Sequence, residues 1–147
     1  MSDSRFLTKL VVELVAPYDN EGAGNWALRE PLQFYSHRLD KVLTVGPEFD
    51  TDFASVPRVP VIYANYGNKY HRSATLHDSL CRTKVVPRDI ADRLFLDAMH
   101  SEIAERVEEL RSRGESEDDV HEFEASETGR AQTMYAAVRL YSVTMAS

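Results

Sequence analysis

The chain has 147 residues, 43% of them hydrophobic and 28% charged, a composition that suits one folded domain with a sizeable core. No apolar run approaches the roughly 18 residues a membrane span needs, and the single cysteine, Cys81, excludes an intramolecular disulfide and a cysteine-rich zinc site. The net charge is −7, yet seven acids fall between Glu115 and Glu127 with no Lys or Arg among them; the rest of the chain is balanced, carries no basic stripe and so predicts no nucleic-acid partner.

At the amino end, MSDSRFLTKLVVELVAP interrupts its apolar stretch with Lys9 and Glu13, unlike a secretory signal. The expected location is the cytoplasm of the cell that makes the protein, or a particle that leaves it. Residues 1–60 predict a small sheet and a crossover. In LTKLVVELV (7–15) apolar residues recur at a loose period of two, and YDNEGAGN (18–25) has the Gly, Asn and Asp density of a hairpin loop. NWALREPLQFYS (25–36) resumes as a second strand, with Pro31 at an edge or bulge. RLDKVLTVGPEFD (38–50) gives a third, closed by Gly46 and Pro47. TDFASVPRVP (51–60) then crosses over irregularly, because each proline biases its preceding residue away from helix.

Helices follow. A helix pair is predicted over 69–113. From Lys69 to Arg82, the residues Tyr70, Ala74, Leu76, Leu80 and Cys81 share one face. A second helix starts near Pro87, a residue suited to a first turn; its stripe of Ile90, Ala91, Leu94, Phe95, Ala98 and Met99 continues through Ile103, Val107 and Leu110. Residues 115–128 read as an acidic, solvated linker, and 129–145 as a final helix with Met134, Ala137, Val138 and Tyr141 on one side. The predicted fold is a single α+β domain: an antiparallel β-meander packed against an antiparallel helix pair, plus a C-terminal helix.

At about 100° per residue, His77 falls in the middle of the first helix's apolar stripe, with Asp78 and His71 on its border. A buried imidazole without a partner costs about 1 to 3 kcal/mol. The short connection 83–86 makes the two helices antiparallel, so Asp92 on the second can accept from one ring nitrogen of His77. That pairing has two readings. The pair is a polar bridge that sets the register of the helices, or Asp92 orients a general base whose other nitrogen is free. Asp78, about 100° further round the helix, and Asp52 in the crossover are oxygen donors suited to a hard divalent cation such as calcium or magnesium. Ser55 and Arg58 are further candidates, alongside a plainer account in which Asp52 and Ser55 satisfy backbone amides of a turn and Arg58 pairs with an acid. Cys81, one turn from His77, reads as a small buried filler.

Taken in order, T-D-F-A-S-V-P-R (51–58), L-H-D (76–78), R-D-I-A-D-R-L-F-L-D-A-M (88–99) and M-Y-A-A-V-R (134–139) resemble the marks of a family of small uncharacterised proteins of tailed bacteriophages and prophages. The resemblance spans most of the chain and implies a phage origin, with no established activity. Members of that family often carry a tyrosine where this chain has Cys81. A second, local resemblance links H-D-x-x-C-R and A-D-x-x-F-x-x-A-M to the helix pair of phospholipases A2. It implies His77 as base, Asp78 as calcium ligand and Asp92 as orienting group. The phospholipase disulfides and glycine-rich calcium loop are absent. Two functions therefore compete: a non-catalytic accessory or virion-associated protein whose partner is a phage structural or host protein, and a metal-assisted ester hydrolase using calcium or another divalent cation.

Overall fold

The computed structural model describes residues 3–16, 25–46, 50–51 and 70–144. Antiparallel strands come first, in two sheets, and three helices follow, giving an α+β fold. The strands are β1 (Arg5–Phe6), β2 (Val12–Ala16), β3 (Asn25–Leu28), β4 (Leu32–Ser36), β5 (Lys41–Val45) and β6 (Asp50–Thr51).

The strands sort as β1-β4-β5 and β2-β3-β6, so the stretch 25–36, expected as one strand, divides between two sheets. The division falls at Arg29–Pro31. Proline has no N–H to give to a ladder, so a strand running through it loses a bond there. In β4 the side chains of Leu32, Phe34 and Ser36 are buried while Gln33 and Tyr35 are half-buried, the period of two that a one-sided sheet requires. The turn from β4 to β5 is closed by Ser36 Oγ, which accepts from the Leu39 N–H at 3.1 Å. Asp40 there takes a φ of 50°, a left-handed conformation that Asp tolerates, and its carboxylate accepts from the Tyr35 hydroxyl at 2.9 Å.

The helices are α1 (His71–Thr83), α2 (Arg88–Ser112) and α3 (Glu117–Thr144). Lys84 ends α1 in the left-handed conformation (φ 57°), returning its N–H to the Leu80 carbonyl at 3.0 Å. Pro87 stands just before α2, where its fixed φ and missing N–H do no harm. Gly114, at φ 82°, turns the chain out of α2.

The acidic stretch departs from expectation. Instead of a solvated linker, Glu117 onward is the first half of α3. Ser116 caps that helix, its Oγ accepting from the Asp119 N–H at 3.1 Å, while Glu117, Asp118 and Asp119 place negative charge beside the exposed N–H groups of the first turn. Val120 then anchors the segment in the core, fully buried.

Two apolar clusters flank α2. On one side Ala91, Leu94 and Ala98 pack with Leu76 and Leu80 of α1 and with Phe6, Leu28, Leu32, Phe34, Leu43 and Val45 from the sheets. On the other, Phe95, Met99, Ile103 and Val107 pack with Val120, Ala131, Met134 and Val138 of α3. Contacts such as Arg72 with Glu102, and Arg106 over the Phe123 ring, show that each neighbouring helix runs antiparallel to α2. The central helix is thus apolar on two faces, and a polar residue on either of those faces must find its partner inside.

Candidate functional site

His77 and Asp92 are that case. The two side chains are 1% and 0% exposed, and Nε2 of His77 lies 2.7 Å from Oδ1 of Asp92. A carboxylate only accepts, so Nε2 carries the proton and donates. The other ring nitrogen, Nδ1, is buried and has no hydrogen-bond partner among the described residues. The Phe95 ring lies 4.8 Å from the imidazole, centroid to centroid, and Cys81 Sγ is 3.5 Å from Nε2.

The second carboxylate oxygen of Asp92 belongs to α3. Arg139 donates to Oδ2 at 2.8 Å, and the Ser142 hydroxyl donates to it at 2.7 Å. Ser142 in turn accepts from Nε of Arg88 at 3.2 Å, and that guanidinium stands 3.7 Å from Oδ1. One carboxylate therefore joins all three helices. Burial alone would raise its pKa, but the hydrogen bonds from His77, Ser142 and Arg139 outweigh that effect and hold the carboxyl below its ordinary value. Burial pushes the Cys81 thiol up to about 11, so the sulfur is a thiol at neutral pH.

Two of the remaining candidates, Asp78 and His71, lie elsewhere on α1. Asp78 sits on the next position of α1, half-buried, with Arg82 one turn on at 3.0 Å. His71 is exposed at the start of α1. Asp52, Ser55 and Arg58 lie outside the described residues. Arg88, Arg139 and Ser142 were not anticipated as partners of Asp92. The spacing of Arg139 and Ser142, three apart on a helix, places both on one face, and that was the available signal.

A second polar cluster lies towards the other end of the helix pair. Glu102 on α2 accepts from the Ser73 hydroxyl at 2.5 Å and the Ser73 N–H at 3.2 Å, and pairs with Arg72 at 3.2 Å. Arg72 also pairs with Glu105 and stacks over the Phe6 ring at 4.7 Å. Burial raises the Glu102 pKa despite these partners. Nearby, the Tyr70 hydroxyl donates to Glu127 of α3 at 2.8 Å. Tyr70, Arg72, Glu102, Glu105 and Glu127 line a cleft of about 360 Å³ with Ile103, Arg106 and Phe123.

Residues 26–111 match a family described as "Protein of unknown function (DUF1353)", over half of the chain. The chain belongs to the DUF1353 family. No curated protein matches it, and no solved structure does. Within the DUF1353 match lie His77, Cys81 and Asp92; Arg139 and Ser142 stand beyond it. No helix among the described residues is long and apolar enough to cross a membrane.

Proposed function

We propose that this DUF1353 protein is a phage-encoded accessory or virion-associated protein, acting by binding a phage structural or host protein, in the host cytoplasm or in the particle. In this reading the His77–Asp92 pair serves the fold. The observation that carries it is the saturation of Asp92: Oδ1 is held by His77 and Oδ2 by Arg139 and Ser142, with the carboxylate fully buried. Such a group sets the register of three helices, and removing it leaves buried partners uncompensated. The resemblance of the ordered motifs to those of phage and prophage proteins supports the origin. Immunodetection of the protein in purified particles, and cross-linking in infected cells, test the role. Recovery in particles, or in a defined complex with a phage or host protein, is the expected result; a protein found in neither contradicts it.

One observation favours the alternative, a metal-assisted ester hydrolase. Nε2 of His77 is fixed by Asp92 while Nδ1 is left without a partner among the described residues, the tautomer a general base needs. In that reading Asp78, with Asp52, is the proposed ligand set for calcium or another divalent cation, and Ser55, Arg58 and His71 are further candidates. The discriminating experiment is calcium titration and an ester screen on wild type and a folded Asp78→Asn variant. Binding and turnover lost together in the variant would establish the hydrolase; neither in the wild type excludes it.

A further inference from the structure

The cluster around His77 also has the composition of a soft-metal site. His77 and Cys81 stand one turn apart on α1, so both side chains leave the helix on the same face. Asp92 faces them from α2. One ligand atom of each, an imidazole nitrogen, a sulfur and a carboxylate oxygen, lies within 4.8 Å of the others. We propose that His77, Cys81 and Asp92 bind a thiophilic divalent cation, zinc or a metal of similar preference, at the junction of the three helices.

The separation of the sulfur and the imidazole nitrogen supports this. Zinc takes nitrogen at about 2.0 to 2.1 Å and sulfur at about 2.3 Å in tetrahedral sites, which separates the two ligand atoms by roughly 3.5 Å. The Sγ to Nε2 distance is 3.5 Å. The Nε2 to Oδ1 distance of 2.7 Å is a hydrogen bond and must open by about half an ångström when the cation takes the place of the proton. Oδ2 is already anchored by Arg139 and Ser142, the outer support that orients a carboxylate ligand while leaving Oδ1 to turn to the metal. The donor set decides the cation: sulfur and imidazole select zinc-like metals over calcium or magnesium, which want oxygen.

The protons balance. The Cys81 thiol loses its proton to solvent as the metal–sulfur bond forms. The Nε2 proton of His77 is replaced by the metal, and Nδ1, now without a partner, becomes the protonated nitrogen. This inference goes beyond the accessory reading and does not depend on it; the three-helix junction stands with or without a cation.

Cobalt(II) is the probe, because thiolate coordination gives a near-ultraviolet charge-transfer band and a tetrahedral site gives strong visible bands. Cobalt chloride titrated into the metal-free full chain under reducing conditions should produce both, saturating near one equivalent, with zinc abolishing them. Cys81→Ala, which removes no buried charge and should fold, should lose the charge-transfer band entirely, and His77→Gln should weaken binding at least tenfold. A folded wild type with no charge-transfer band, or a band that survives in Cys81→Ala, overturns the assignment.

Discussion

Asp92 and Arg139 meet at 2.8 Å although 47 residues separate them in the chain. The contact ties the last turns of α3 to the start of α2, with Ser142 beside it on the same oxygen. Arg139→Met should therefore destabilise the protein by roughly 2 to 3 kcal/mol, below the full cost of breaking a buried pair because the guanidinium is 28% exposed. Urea unfolding measures it. A change under about 0.5 kcal/mol would show that α3 is held by its apolar face alone.

The cap of α3 is a separate and local prediction. Ser116→Ala removes the acceptor for the Asp119 N–H and should cost about 1 kcal/mol. Because the first turn is exposed, the loss should appear as faster amide exchange over residues 117–120 before it appears in global unfolding. Unchanged exchange there would mean the acidic residues hold the turn without the cap.

Two buried carboxyls give the stability a pH dependence of opposite signs. Asp92 has a folded pKa below its ordinary 3.8, so its contribution is present above that value and is lost as pH falls through the folded pKa. Glu102 has a folded pKa raised above 4.5, first by burial, so the folded state holds its proton more tightly and stability declines as pH rises from about 4.5 through the folded pKa. Urea unfolding of Glu102→Gln across pH 4 to 7 should show a flatter decline than wild type. Parallel curves would mean that Ser73 and Arg72 compensate the ionised form fully.

Burial predicts slow chemistry at Cys81. With the thiol pushed from 9.0 to about 11, the thiolate fraction near pH 8 falls about 100-fold, so alkylation of the metal-free native protein by iodoacetamide should be slower by that order than in urea. Equal rates would place the sulfur in contact with solvent.

Much of this arrangement was readable in the sequence. The His77 to Asp92 contact follows from two apolar stripes joined by a connection too short for anything but antiparallel packing, and local periodicity carries it. Arg139 and Ser142 were not readable as partners. Their position depends on α3 starting at Glu117, and a run of seven acids looks solvated unless the Ser116 cap and the buried Val120 are weighed against its charge. The two sheets were hidden for a related reason. Strand pairing such as β1 with β4 and β3 with β6 is long-range, and alternation within a strand says which face is buried without saying which neighbour it meets. Asp52, Ser55 and Arg58 lie outside the described residues, so the motif that contains them enters only as a reading of the sequence.

The histidine–aspartate pair holds three helices together. Equilibrium urea unfolding of Asp92→Ala beside Asp78→Ala tests it most directly. Loss of the buried carboxylate should cost about 3 to 5 kcal/mol, since His77 and Arg139 are left without their partner, whereas Asp78→Ala should cost under about 1 kcal/mol. An Asp92→Ala protein as stable as wild type would show that the three helices pack without the pair.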